Sequence, residues 1–211
     1  MLYRNMSLCP LCSSQSELFY NDEFFLCPTC GGIFKNQELL LDAKDEKERY
    51  ELHSDDVNDL GYQKFVSPIT TNVFNDFKKE NCGLDFGSGN SKIVATVLEN
   101  ESYNVKVYDP FFAPILENLK EKYDYITSCE VIEHFNNPQK EFALLQSLLK
   151  EDGKLYCMTH LYDESIDFSK WYYKNDPTHI FIYQAKTVEF IKNHFGFSDA
   201  TIEKRLIVWS V

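Results

Sequence analysis

A chain of 211 residues can bury one sizeable core and carry a small attached module, and a hydrophobic content of 44% is ordinary for a globular protein. It contains neither an apolar run fit to cross a bilayer nor a basic-then-apolar leader, so the expectation is a soluble cytoplasmic protein without membrane insertion. The formal charge of -12 and the lack of a lysine–arginine cluster repel phosphate backbones and disfavour nucleic acid as a partner.

Four cysteines mark the first segment. Cys9-Pro10-Leu11-Cys12 and Cys27-Pro28-Thr29-Cys30 are paired thiol knuckles with 14 residues between them. Each knuckle can place two sulfurs on one metal, and four sulfurs suit tetrahedral Zn2+. Between them, residues 17–20 and 23–26 read as two short strands around Asn21-Asp22. Residues 1–36 therefore look like a zinc ribbon with Cys9, Cys12, Cys27 and Cys30 as ligands. A site filled by four cysteines leaves no open coordination position, so the metal is expected to fold the segment rather than to do chemistry. Cys82, Cys129 and Cys157 fall in or beside later strands and read as buried apolar thiols.

Residues 37–79 form a bridge. The charged run over 37–50 reads as a solvated helix, and Ile69, Val73, Phe74 and Phe77 share one helical face suited to packing on a sheet. Beyond the bridge, Cys82-Gly83-Leu84-Asp85-Phe86 reads as a buried strand that ends in the turn Gly87-Ser88-Gly89, with a helix after it from Ser91 to Leu98. Val105-Lys106-Val107-Tyr108 reads as a second strand, closed by Asp109. This layout makes a site for a nucleoside-bearing cofactor at the carboxyl ends of a parallel sheet. The glycines let backbone approach a ligand, and the second acid can accept from ribose hydroxyls. A dinucleotide and S-adenosylmethionine both satisfy that pattern. Asp85, however, stands where a dinucleotide fingerprint prefers glycine, and a carboxylate there suits a methionine ammonium better than a pyrophosphate.

Asp85-Phe86-Gly87-Ser88-Gly89 resembles the first motif of class I S-adenosylmethionine-dependent methyltransferases. Residues 123–135, with Glu130-Val131-Ile132-Glu133-His134, look like the fourth-strand motif of the same family. The resemblance covers roughly residues 80 to 205. It implies an α/β fold, a Rossmann-like methyltransferase sheet with helices on both faces over residues 80–211, behind the small N-terminal ribbon. It also implies that Asp85, Gly87, Gly89, Asp109 and Glu130 face S-adenosylmethionine, and that Tyr50, His53 and Tyr62 belong to a cofactor lid over 37–79. Ser91 departs from the family by replacing a frequent glycine.

Only 14 residues separate Asp109 from Asp124, which leaves room for one short helix near 115–122 and no third strand; Phe111 or Phe112 then offers apolar contact. If the turn after the fourth strand becomes helical, Glu130 and His134 share a face. Residues 139–149 read as a helix stopped by Glu151-Asp152-Gly153, residues 154–159 as a fifth strand, and 187–195 as a last helix. The family commonly finishes with an antiparallel strand at the sheet edge, and residues 200–203 and 206–209 fit terminal strand material. His134, His160 and His179 are the candidate catalytic residues, since imidazole can accept a proton near neutral pH. The aromatic loop Trp171–Phe181 reads as a wall for an organic methyl acceptor.

The function implied is methyl transfer from S-adenosylmethionine to oxygen, nitrogen or carbon of a small molecule. Two alternatives stay open. In small-RNA 2′-O-methyltransferases a similar Glu-x-x-Glu-His group with a later histidine binds a divalent metal, and a noncatalytic cofactor-binding or protein-interaction module could keep the same fold.

Overall fold

The computed structural model describes residues 6–52, 56–57 and 59–211. His53, expected in the lid, lies outside the described residues.

The strands of the first sheet are β1 (Met6–Leu8), β2 (Gln15–Tyr20), β3 (Phe24–Leu26) and β4 (Ile33–Lys35). Asn21 and Asp22 both take positive φ in the turn between β2 and β3, a conformation that short polar side chains tolerate. The sheet does not end with this segment. β4 pairs with β9 (Phe181–Ile182), giving the order β1-β2-β3-β4-β9 with every pair antiparallel. The junction is tight: a Cβ on Gly32 would sit 2.3 Å from the Phe181 ring.

The bridge holds α1 (Ala43–Glu51) and α2 (Leu60–Asp76). Asp42 caps α1, accepting from the amides of Lys44 and Asp45, and Asp59 caps α2 through the Gly61 amide. The remaining elements are β5 (Cys82–Phe86), α3 (Ile93–Asn100), β6 (Asn104–Tyr108), β7 (Tyr123–Cys129), α4 (Pro138–Leu148), β8 (Leu149–Met158), α5 (Ala185–Phe195), β10 (Asp199–Glu203) and β11 (Leu206–Ser210). They build a second sheet of order β10-β11-β8-β7-β5-β6, in which β6, β5, β7 and β8 are parallel.

Adjacent residues of the central strands point to opposite faces, and both faces are covered. Ile126, Leu155, Cys157 and Ile207 pack with Phe142 and Leu145 of α4 and Val188 and Ile191 of α5. Their neighbours Tyr125, Tyr156, Met158 and Leu206 pack on the other side with Val66, Ile69 and Val73 of α2 and with α3. The first of these cores runs on without interruption into Cys9, Leu11, Phe25 and Phe34, so the cysteine-bearing sheet and the large sheet share one apolar interior.

Between β6 and β7 the chain makes only a 3-10 turn at Leu116–Lys120, and no third strand forms. The edge left at β6 is partly covered, because the Asn118 amide donates to the Val107 carbonyl. Three expectations change. α4 stops at Leu148, and Lys150 to Gly153 belong to an irregularity early in β8, because Leu149 already pairs with Tyr123. The antiparallel β11 lies inside the sheet and β10 takes the edge: Leu206, Ile207 and Trp209 need burial, whereas β10 is mostly exposed. Glu130 and His134 do not share a helical face, since Glu130 is left-handed (φ 52°) and the 3-10 turn begins at Ile132.

Candidate active site

The chain crosses from β5 through α3 to β6 on one side and then places β7 on the other, so β5 is the switch point of the parallel sheet. A cleft of about 760 Å³ opens there, beyond the carboxyl ends of the strands. Asp85, Gly87, Gly89, Asp109, Glu130, Tyr62, His134 and His179 all line it. His160 does not line the cleft. It packs edge-on against Trp171 and against Tyr173, which does line the cleft.

Asp85 is 2% exposed and does a local structural job. α3 starts after Lys92, which is left-handed and supplies no side-chain cap. Asp85 reaches across from β5 instead and accepts from the Ala95 amide at 3.2 Å, while Thr127 donates its hydroxyl at 2.9 Å. A carboxylate at a helix N-terminus is favourable, but burial still lifts its pKa from 3.8 to about 6.

Asp109, directly after β6, ties two loops together. It accepts from the Gly89 amide at 3.0 Å on one oxygen and from the Phe111 and Phe112 amides at 2.8 and 2.9 Å on the other. The two glycines of the turn differ. Gly87 has φ 74° and its Cβ position lies 2.4 Å from Val131, so the turn interlocks with the exit of β7. Gly89 has φ 63° and faces open space.

Across the cleft, Glu130 is half-buried and pairs with Arg205, whose guanidinium also lies 5.3 Å from the Phe65 ring centre. Burial and then the neighbouring Glu133 push the Glu130 pKa up to about 8, against the pull of Arg205. Glu133 is fully buried; Tyr173 donates its hydroxyl to one oxygen, and burial raises the acid to about 7. His134 Nδ1 lies 2.8 Å from the Thr178 carbonyl and His179 Nδ1 lies 2.7 Å from the Tyr173 carbonyl. A carbonyl only accepts, so each Nδ1 carries the proton and Nε2 is the acceptor nitrogen of the neutral ring. Burial, and then the neighbouring His134, lower the His179 pKa to about 4. The two rings stand 5.0 Å apart, and ligand atoms of Glu133, His134 and His179 fall within 4.8 Å of one another, a group that could hold a metal ion.

α1 covers this wall. Tyr50 packs edge-on against His134 at 5.4 Å and lies tilted against Phe111 at 5.8 Å, and its hydroxyl donates to Glu46. Arg49 of the same helix pairs with Asp176 at 2.9 Å. Tyr62 stacks with Phe65 at the start of α2.

Sequence reasoning placed Tyr173 and Asp176 in the acceptor loop without their partners, and missed Arg205 and Arg49 as parts of the site. Arg205 sits in a hairpin turn without a motif, and nothing local to Tyr173 or Arg49 announces a partner so far away in the chain.

The four thiols of the first segment converge as well. Cys9 Sγ lies 3.5 Å from Cys30 Sγ, and Cys12 Sγ lies 3.4 Å from Cys27 Sγ. All four sulfurs fall within 4.8 Å of one another.

The strand order, the acid and glycine turn after β5, the acid after β6 and the cleft at the switch point define a class I S-adenosylmethionine-dependent methyltransferase fold. A family model described as "Methyltransferase domain" matches residues 60–202. The chain belongs to that methyltransferase family. Among solved structures it is similar to a SAM-dependent methyltransferase from Archaeoglobus fulgidus, with TM-score 0.53 and 21% identity over 67% of this chain and 72% of that one. It is also similar to magnesium protoporphyrin IX methyltransferase from Synechocystis, with TM-score 0.50 and 14% identity over 80% of this chain and 94% of that one. An O-methyltransferase family protein from Burkholderia thailandensis matches with TM-score 0.50 and 11% identity over 70% of this chain; the present chain spans only 56% of its length. At these identities the likeness is one of fold. A search of curated proteins found no match. Among the described residues no helix is long and apolar enough to cross a membrane.

Proposed function

We propose that this chain transfers the methyl group of S-adenosylmethionine to oxygen, nitrogen or carbon of a small organic acceptor, with Zn2+ held structurally by Cys9, Cys12, Cys27 and Cys30. The observation that carries the reading is the shared cleft rim. Asp85, the Gly87–Gly89 turn and Asp109 face one cavity at the switch point of a parallel sheet.

The cofactor supplies an electrophilic methyl carbon on a sulfonium. The chain's own residues bind and align. Asp109 Oδ1 already accepts from the Phe111 and Phe112 amides, whereas Oδ2 accepts only from Gly89 and keeps a lone pair for a ribose hydroxyl. Gly89 gives the cofactor backbone access, and Asp85 stiffens the turn through α3. Phe111 and Phe112 offer apolar surface on that side, while Glu130 lies toward the sulfonium end. The acceptor sits against Tyr172, Tyr50 and the histidine pair, beneath α1 and the start of α2 as a lid. Such enclosure excludes water and lines up the attacking atom, the main requirements of a direct displacement. Bound there, the sulfonium would release its methyl carbon to the acceptor's nucleophile as the carbon–sulfur bond breaks, with S-adenosylhomocysteine as the product. The acceptor's proton goes to the histidine pair, where Nε2 of His179 is an acceptor. His160, outside the lining, is the weaker candidate base.

The zinc reading rests on sulfur spacing. Separations of 3.4 and 3.5 Å are far longer than a disulfide and approach the edge of about 3.8 Å expected for a tetrahedron with Zn–S near 2.3 Å. The domain reading accompanies it: ribbon over 1–36, lid over 37–79, methyltransferase domain over 80–211.

A second reading has a divalent cation at Glu133, His134 and His179 that orients the acceptor oxygen. The convergence of those ligand atoms favours it, together with the Glu133 oxygen that is buried without a hydrogen-bond partner.

Calorimetry with S-adenosylmethionine, S-adenosylhomocysteine and NAD tests the main proposal. Selective binding of the sulfur compounds supports it, and binding of NAD alone overturns it. Asp109→Asn is expected to weaken S-adenosylhomocysteine about tenfold to a hundredfold through loss of charged hydrogen bonds. Metal content by mass spectrometry separates the two metal readings. One zinc per chain fits the cysteines alone, and a second ion lost in His179→Ala fits the acceptor-side cluster.

A further inference from the structure

Lys35 lies outside the cleft, on the last strand contributed by the cysteine-bearing segment, yet it grips the loop that carries His179 from both sides. Its backbone amide donates to the Ile180 carbonyl at 2.8 Å as β4 meets β9. Its side-chain ammonium reaches the Pro177 carbonyl at 3.0 Å and the Asp176 carbonyl at 3.4 Å. The same ammonium stands 5.6 Å from the centre of the Phe24 ring. Thr178 and His179 are thus enclosed between two anchors that belong to one residue.

What the loop carries explains why this matters. The Thr178 carbonyl receives His134 Nδ1, so the loop backbone sets the orientation of the first histidine as well as the position of the second. The Asp176 carboxylate is divided between the Thr178 hydroxyl and amide on one oxygen and Arg49 of α1 on the other. The Ile180 amide donates to the Glu133 carbonyl at 2.9 Å, joining the loop to the turn after β7. A half-buried ammonium is costly to desolvate, and burial lowers the Lys35 pKa against the opposing pull of Asp176 and Glu23. Two carbonyl acceptors and an aromatic face offset that cost only while the loop stays in this place.

We propose that Lys35 is a positioning residue for the acceptor side of the cleft: through its clamp the cysteine-bearing sheet sets the His134–His179 pair, and the cofactor side is independent of it. The assignment rests on the proposed function in placing the acceptor beside those histidines. It treats the cysteine module as part of the site's framework and gives a reason for its attachment to this sheet. No residue of the cofactor rim touches Lys35 among its hydrogen bonds. Loss of the clamp therefore loosens one wall of the cleft only.

The test uses the full chain saturated with S-adenosylhomocysteine and compares Lys35→Met with Lys35→Arg. Methionine keeps the apolar stem and removes the donors, whereas arginine restores them. Amide hydrogen exchange read by NMR is expected to quicken about tenfold or more at His179 and Ile180 in Lys35→Met, as expected for losing charged hydrogen bonds. Exchange in β5 and β7 and the affinity for S-adenosylhomocysteine stay at the parent's values, and Lys35→Arg regains the protection. Unchanged exchange at His179 and Ile180 overturns the proposal, as does an equal loss of cofactor affinity or a failure of arginine to rescue. If both Lys35→Met and Lys35→Gln fail to fold, the contact belongs to the core and the proposal is likewise overturned. A parent chain that does not bind S-adenosylhomocysteine refutes the proposed function instead, and exchange without ligand still decides the clamp.

Discussion

Most of the wall proposed for the cofactor comes from one run of chain, residues 85–112, whose contacts are strand-end carboxylates meeting nearby backbone amides. The wall proposed for the acceptor instead gathers Arg49 and Tyr50 from the first quarter of the chain, His134 from the middle and Tyr173 to His179 from the end, with Lys35 holding the last loop from outside the cleft. In the first wall a few local bonds over-determine a turn. The second is assembled by two sheets pressing on one loop, and its geometry depends on contacts between segments far apart in the chain. Methyl transfer places different demands on the two sides. The cofactor is the same for every acceptor, whereas the other wall must suit one molecule.

Several substitutions would break or sharpen that contrast. The largest effect is expected from Cys27→Ser, which removes one of four convergent thiols. We expect a loss of about 4 kcal/mol or more in unfolding free energy, with early proteolysis inside residues 6–35, measured by urea titration and limited digestion. An equally sensitive cofactor wall would sink the idea that the walls are separable. Gly87→Ala attacks the local wall at its tightest point. A methyl 2.4 Å from Val131 in a left-handed backbone is expected to cost about 3 kcal/mol.

Next comes a pH effect at Asp85. Its carboxyl titrates at 3.8 when unconstrained and at about 6 when folded, raised by burial. Between those values the folded chain holds a proton that the unfolded chain has lost, so this group's contribution makes stability fall as pH rises through 3.8 to 6. Asp85→Asn can keep both hydrogen bonds, because the Thr127 hydroxyl can accept from the amide. The variant's stability relative to the parent should therefore climb by on the order of 2 kcal/mol from pH 4 to pH 7. A difference that stays flat across that range would remove the assigned burial cost. The smallest effect is expected from Gly89→Ala, where a methyl enters open space and only the left-handed backbone is strained. About 1 kcal/mol of stability is the expected loss, with a larger proportional fall in S-adenosylhomocysteine affinity.

The legibility of the two walls follows the same division. Asp85, Gly87, Gly89 and Asp109 could be read from the chain because strand, turn and acid are neighbours, and their spacing is dictated by backbone geometry. The missing third strand was legible too, from the short distance between Asp109 and Asp124. His134 and His179 were named one at a time, but nothing in their surroundings stated that the rings would meet. His160, at an equally promising strand end, does not line the cleft and packs behind it, against Trp171 and the lining residue Tyr173. The helical pairing of Glu130 with His134 does not form because Glu130, leaving β7, is left-handed and the 3-10 turn begins only at Ile132.

By itself the sequence determined the alternation of strands and helices, the two thiol knuckles and the acid-and-glycine rim, since each depends on periodicity or short-range chemistry. Only the tertiary structure decided that β9 would complete the cysteine-bearing sheet and that Lys35 would hold the histidine loop. It also decided that Arg205 would meet Glu130 from the far edge of the large sheet. Those contacts join residues whose attraction is weak until the apolar core has brought their backbones together, so no local pattern could encode them.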